Sequence, residues 1–340
     1  MRKMKRYYLK LAAISATALA LIACSDAEGA GKDDKDLEKI VIAEPIHSIG
    51  YLPLYVADQE GYFAEEGLDV EILTATGGAH VTSVVSGEAW GNMGGPESNA
   101  MANVGNSDPI KSIVNVVNRA NVYLMADSKL GYEQTTDPEK LKEYLDGKTI
   151  AAGRFGGSLN LLTRWLLLDL GLEPGEDVKL EEPADQSAVL SLVKSGAADI
   201  ANGFEPIIKN GIDQNIWKEP FYKFTDLGDY PFSVLSVKES TIEEEPEKVQ
   251  GFVNAIVKAL KELEKDSELA LVVLKKEFPT TEEDSLKAAL DRAYEDDLWS
   301  KDGFISEESL AKTMDVVEKT GVFTKGYDYD ELIDMQFIKK

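Results

Sequence analysis

The sequence predicts an α/β chain made of two similar halves, each a mainly parallel sheet flanked by helices. Short β-branched runs alternate with helical stretches between residues 39 and 204. The alternation restarts near Asp137. Two pairs of segments also echo each other in the same order: KIVIAEPIH (39–47) with KTIAAGRFG (148–156), and SGEAWGNMGGPE (86–97) with SGAADIANGFEP (195–206). Strands joined by helical crossovers build parallel sheets covered on both faces.

The elements follow in order. KIVIAE (39–44) is a buried strand, and Pro53 suits the first turn of the helix after it. Gly61 and Gly67 turn the chain into a strand over 69–74, and Gly77-Gly78 opens a helix to about Val85. AWGNM is a short strand, followed by a helix from Pro96 to about Val104. IKSIVNVV (110–117) and VYLMAD (122–127) are strands. In the second half DPEKLKEYLDG is a charged helix, KTIAAG (148–153) a strand, and Ser158 is expected to cap the apolar helix SLNLLTRWLLLDLGL. VKLEEP is a strand, 186–194 a helix, and ADIANGF (198–204) a strand. PFSVLSVKES (231–240) is a final strand; beyond it, amphipathic Lys/Glu-rich helices (246–265, 268–277, 282–294, 306–320) read as cladding.

The first 36 residues are of another kind. Arg2, Lys3, Lys5, Arg6 and Lys10 precede an apolar run, Leu11 to Ala23. That run suits a signal-peptide core of roughly 7–15 residues and is too short for a membrane span of roughly 20. Cys24 is the only cysteine, so it has no intramolecular disulfide partner. Leu21-Ile22-Ala23-Cys24 resembles the bacterial lipobox, which implies that Cys24 carries lipid and becomes the first residue. Residues 24–36 show no apolar periodicity and read as a flexible tether. Removing the 23 residues before Cys24 leaves 317 of 340 and, with five basic residues gone, takes the net charge from −25 to −30. Such a surface repels nucleic acid and anionic lipid, so neither is an expected partner and membrane contact is expected through the anchor alone. With one cysteine and two histidines no Cys/His metal site is expected, nor any cofactor.

In parallel sheets ligands bind beyond the carboxyl ends of the strands. That rule selects the loops holding His47, Ser48 and Tyr51; Gly77 and Gly78; Gly95 and Glu97; Arg154, Phe155, Gly156, Gly157 and Ser158; and Glu205. Arg119 falls near the expected crossing between the halves. GRFGGS (153–158) is the sharpest element: its glycines allow close backbone approach, the following helix aims free N–H groups at the loop, and Arg154 adds a two-pronged donor. It completes neither GxGxxG nor a P-loop. The carboxylates Glu97 and Glu205 instead suit a ligand with N–H donors. Arg164 and Arg292, inside helices, read as surface groups, and His80 as structural or surface.

Taken together, GYLPLYVADQEGYFAEEGLDVEI, the TGGA turn, SGEAWGN, LDGKTIAAGRFGGS, LGLEPGEDVKL and LVKSGAADIANGFEP resemble the nitrate/sulfonate/taurine superfamily of ABC-importer solute-binding proteins, which includes binders of thiamine-pyrimidine precursors. The resemblance covers about 40–260. It implies a two-lobe periplasmic-binding-protein-like fold (type II), with lobe 1 at 37–121 plus 237–340 and lobe 2 at 122–236, joined by paired hinge strands VYLMAD and SVLSVK. It assigns ligand contacts to His47, Ser48, Tyr51, Gly77, Gly78, Gly95, Glu97, Gly156, Gly157, Ser158 and Glu205. Trp90 departs from the aspartate usual in that family, and Arg154 is not part of its pattern. The implied role is a monomeric lipoprotein on the outer face of the cytoplasmic membrane, passing a small polar nutrient to an ABC transporter permease, without catalysis. Two alternatives stand beside it: a thiamine-pyrimidine-synthase-like enzyme, whose cysteine-rich motif this chain lacks, and a structural lipoprotein.

Overall fold

The computed structural model describes residues 37–339. Cys24, the signal segment and the tether lie outside the described residues. Ten strands form two five-stranded sheets. In chain order they are β1 (Glu38–Glu44), β2 (Leu68–Thr74), β3 (Gly91–Gly94), β4 (Ile110–Val117), β5 (Tyr123–Ala126), β6 (Thr149–Ala151), β7 (Lys179–Glu181), β8 (Ile200–Gly203), β9 (Tyr222–Lys223) and β10 (Ser233–Lys238).

The first sheet has the order β2-β1-β3-β10-β4 and the second β7-β6-β8-β5-β9. Their first three strands correspond: β1 pairs parallel with β2 and β3, and β6 pairs parallel with β7 and β8. The echoed sequence pairs are therefore β1 against β6 and β3 against β8. The fourth strand of each sheet runs antiparallel to both neighbours. This mixed pairing follows from the path of the chain. It leaves the first sheet after β4, enters the second as β5, and returns as β10, so each arriving strand runs against its hosts. β5 and β10 do not pair with each other, contrary to the expected paired hinge strands. Each lies wholly in one sheet, and the crossings are the short segments 118–122 and 228–232.

The helices are α1 (Leu52–Gln59), α2 (Tyr62–Glu65), α3 (Ala79–Ser86), α4 (Pro96–Asn103), α5 (Pro138–Leu145), α6 (Ser158–Asp169), α7 (Ala188–Ser195), α8 (Ile207–Asp213), α9 (Glu239–Glu244), α10 (Pro246–Lys265), α11 (Ser267–Glu277), α12 (Glu283–Glu295), α13 (Glu307–Lys319) and α14 (Tyr329–Leu332). Three of them begin at strand-end loops that bear on the site. α3 follows Gly78, whose φ of 94° suits glycine. α4 starts with Pro96, whose missing N–H is harmless at that position. α6 starts at Ser158, but its cap is Gly157, whose backbone is extended (φ −84°, ψ 153°), and the Ser158 hydroxyl donates to Glu97.

α10 buries Val249, Phe252, Val253, Ile256, Ala259, Leu260 and Leu263. That spacing is one helical face, and it closes the first sheet together with α1 and α2. α13 behaves differently. Its Leu310, Met314 and Val317 share a core with Leu162 and Leu166 of α6. The C-terminal segment thus covers both sheets. No described helix is long and apolar enough to cross a membrane.

Candidate functional site

The strand-end loops after β1, β3, β6 and β8 converge on a cavity of about 170 Å3 between the two sheets. From the first sheet come Ile46, Ser48, Gly50 and Tyr51, then His80, then Gly94, Gly95 and Ser98. From the second come Arg154, Gly156, Gly157, Ser158, Leu159 and Phe204. Val117, Asn121, Phe232 and Ser233, at the crossings, form the floor. A shallower groove of about 550 Å3 lies elsewhere, between the end of α4 and residues 323–332. Its Lys111 is already paired with Glu239.

Each wall is fixed by local chemistry. The 45–51 loop is tied down by Ser48, whose hydroxyl accepts from Gly50 N, and by Trp299, whose Nε1 donates to Gly50 O at 2.8 Å. The buried Tyr51 hydroxyl accepts from Ser233 Oγ at 3.5 Å, and burial pushes its pKa up, so it stays neutral. In the second sheet Asn202 is wholly buried and donates to Ala152 O and Thr163 Oγ1, which locks β6, β8 and α6 together below the GRFGGS loop. Gly153 and Gly156 have φ of 70° and 75°, the turn that lets this loop double back onto α6.

Seven residues selected from the sequence line this cavity: Ser48, Tyr51, Gly95, Arg154, Gly156, Gly157 and Ser158. The others stand elsewhere. Glu97 is 5% exposed, accepts from Ser158 Oγ at 2.9 Å, and fills the space over Gly95, where a Cβ would lie 2.1 Å from its Oε2. It bridges the two sheets beneath the lining, and burial raises its pKa. Glu205 lies behind the cavity. It accepts from Arg292 Nε at 2.9 Å and from Lys209 N at 3.1 Å, bordering a separate small void. Arg292 is no surface group: its side chain is 12% exposed and pairs with Glu205 and Glu219. Its helix, α12, packs against α8 and α11. Arg164 is likewise engaged, with Glu182.

His47 turns away from the cavity. Its Nδ1 lies 2.9 Å from Glu44 Oε1 and its ring 4.6 Å from Phe278. Gly77 and Gly78 form the turn before α3 at positive φ and do not line this cavity. Arg119 donates to Asp229 and faces another cavity, of about 240 Å3. Phe155 is 57% exposed beneath Arg164. Ser98 and Phe204 fall in the chosen strand-end loops, and Phe204 also reads as a flank for a planar ligand, while His80 reads as structural or surface. Sequence reasoning passed over Asn121, Phe232 and Ser233, because the crossings that carry them have no turn signal.

The electrostatics follow. Arg154 is the only charged side chain lining the cavity, and it has no carboxylate partner among the described residues. α6 has neither a side-chain cap nor an acidic residue in its first turn; the Gly157 N–H is taken by Arg154 O, and the Ser158 N–H has no backbone partner among the described residues. The acids are engaged by partners: Glu205 by Arg292, and Glu97 by the Ser158 hydroxyl. Among the described residues no group of three His, Cys, Asp or Glu is placed to hold a metal.

The chain is similar to a Bacillus subtilis (strain 168) protein named "Putative binding protein YtlA", 27% identical over 328 residues that cover 94% of this chain and 93% of that one. In fold it resembles the periplasmic nitrate-binding protein NrtA of Synechocystis PCC 6803 (16% identical, TM-score 0.68, covering 89% of this chain and 87% of that one). It equally resembles the alkanesulfonate-binding protein SsuA of Xanthomonas axonopodis pv. citri bound to MOPS (15% identical, TM-score 0.68, covering 88% and 99%). The fold is that of the periplasmic binding proteins. The family model of the NMT1-like family matches residues 46–274, which contain every strand-end loop of the cavity except Pro45, and the chain belongs to that family.

Proposed function

We propose that this protein is the solute-binding component of an ABC importer and that it captures a small anion, of the sulfonate or nitrate kind, in the cavity between its sheets. The observation that carries the ligand class is the lining: one unpaired cation, Arg154, beside the uncapped N-terminus of α6. A guanidinium fork and free backbone N–H groups together match the oxygen cluster of a sulfonate or nitrate. Ser48, Ser98 and Asn121 supply further side-chain donors, and Ile46, Leu159, Phe204 and Phe232 receive a short apolar tail. The proposed contacts are therefore Ser48, Tyr51, Gly95, Arg154, Gly156, Gly157 and Ser158, with the newly placed His80 and Asn121.

The two lobes of this reading meet near 118–122 and 228–232, where the chain changes sheet, and ligand draws them together across the cavity. Lipid on Cys24 would hold the protein at the outer face of the cytoplasmic membrane, within reach of its permease. The protein acts as a binder and turns nothing over. A nitrogen heterocycle is the second reading, favoured by one observation: Tyr51, Phe204 and Phe232 flank the same space.

A thermal-shift panel separates the two. The chain is unfolded and refolded to strip captured ligand, then heated with nitrate, alkanesulfonates, taurine, aminopyrimidines or thiamine. Ligand at about a thousand times its Kd stabilises by about 4 kcal/mol. A shift with sulfonates or nitrate alone supports the anion reading. A shift with heterocycles alone overturns it in favour of the aromatic walls.

A further inference from the structure

His80 is the one imidazole lining the cavity. The residue is 7% exposed, and its buried Nδ1 has no hydrogen-bond partner among the described residues. A buried polar atom left unpaired costs about 1–3 kcal/mol, so a native protein that keeps one invites a role for it. The ring is seated firmly. His80 is in the first turn of α3, its N–H bonded to Ala75 O, and it packs against Gly94, where a Cβ would come within 2.9 Å of Nε2. Only glycine at 94 leaves room for the imidazole to line the cavity opposite the GRFGGS loop.

We propose that His80 is a ligand contact and that it takes up a proton from solvent when an anion binds, so that anion and proton occupy the cavity together. The inference rests on the anion reading above. Without ligand, burial first and Arg154 second hold the ring neutral, down to about pH 4. An anion seated between Arg154 and His80 cancels the cation's field and adds an attraction of its own, both of which favour imidazolium. The other charged groups on elements packed against α3 are engaged away from the ring. On β1, Glu44 is bound by Tyr55, Thr74 and His47; on α4, Glu97 is bound by Ser158; on β10, Lys238 lies near Asp108. Glu38 and Lys39 of β1 lie at its far end, and Lys39 is 3.8 Å from Asp69. α3 carries no other ionisable side chain.

The sign follows from linkage. A pKa that rises on binding makes affinity climb as pH falls from the bound-state value toward the free value, by up to about tenfold per pH unit. The test is a titration of the full chain with isotope-labelled histidine, followed by NMR. The chain has two histidines, so His47 serves as an internal reference and a His80→Gln variant assigns the signals. Methanesulfonate, ethanesulfonate and nitrate are the probes, because all stay ionised between pH 4 and 8.

The expected result is a His80 signal that titrates near pH 4 alone and at least about one unit higher with probe bound, while His47 moves little. Affinity should rise on acidification in the native chain and much less in His80→Gln. If a probe binds and the His80 signal titrates unchanged, this inference fails and the anion reading stands. If none of the probes binds, the anion reading fails and takes this inference with it. Should His80→Gln misfold, the titration of the unaltered chain decides alone.

Discussion

Replacing Arg292 with alanine should destabilise the protein by several kcal/mol. Its guanidinium reaches Glu205 at 2.9 Å and Glu219 at 2.8 Å, and lies over the Tyr123 ring at 5.5 Å. Glu219 is mostly in water, whereas the Glu205 side chain is 7% exposed. In the variant Glu205 keeps one donor, the backbone N–H of Lys209. Removing one partner of a buried ion pair typically costs about 3–5 kcal/mol, because a buried charge is left uncompensated. At about 2.1 cal/mol/K per residue over the roughly 300 described residues, each kcal/mol moves Tm by about 1.6 °C, so a loss of about 5–8 °C is expected. Scanning calorimetry of the ligand-free chain reads it directly. The double variant Glu205→Gln, Arg292→Met removes both charges and should recover most of the loss. A single-variant Tm within about 1 °C of the native chain, or a double variant worse than the sum of its parts, would refute the reasoning. The sequence had presented Glu205 as a ligand contact and Arg292 as a surface group; their pairing makes both structural in the first instance.

Glu97→Gln keeps an oxygen for the Ser158 hydroxyl while removing a charge that burial disfavours. Because the folded-state pKa is raised above 4.5, the native chain should gain stability as pH falls from neutrality toward that value, and the variant should melt higher at pH 7 and lack this dependence. A lower Tm for the variant at pH 7 would mean the ionised carboxylate is net favourable. His47 has a pKa raised above 6.5, mainly by the hydrogen bond to Glu44 against the opposing cost of burial. Its contribution is complete below pH 6.5 and is lost as pH rises through the folded value, so melting curves from pH 6 to 8 should fall more steeply in the native chain than in His47→Gln. Parallel slopes would show that the Glu44–His47 pair carries no such linkage.

The sheets were legible because their strands are short apolar runs bounded by glycine. Ile110–Val117 was read to the residue, and the repeat of Ser-Gly turns announced that β3 and β8 are equivalents. β9 escaped because Tyr222–Lys223 is a two-residue strand with no period to detect. The site was legible in part for the same reason. Gly156, Gly157 and Arg154 sit in a turn whose composition betrays it, whereas Asn121 and Phe232 reach the cavity only because the chain crosses between sheets there. Pairing was the least legible property. Ser158 looked like a helix cap and Arg292 like a solvated charge, and nothing local reveals that the first meets Glu97 and the second Glu205 across the sheets. Those choices are made by tertiary packing.

The most direct test of the central claim is the calorimetric affinity of the stripped chain and its Arg154→Gln variant for the best-bound alkanesulfonate or nitrate. Arg154 is exposed and carries no structural ion pair among the described residues, so the variant should melt as the native chain does. Losing a hydrogen bond to a charged group costs about 1.5–3 kcal/mol, so affinity should fall roughly 10- to 150-fold. An unchanged affinity would contradict the account, because Arg154 would then not be the anion grip.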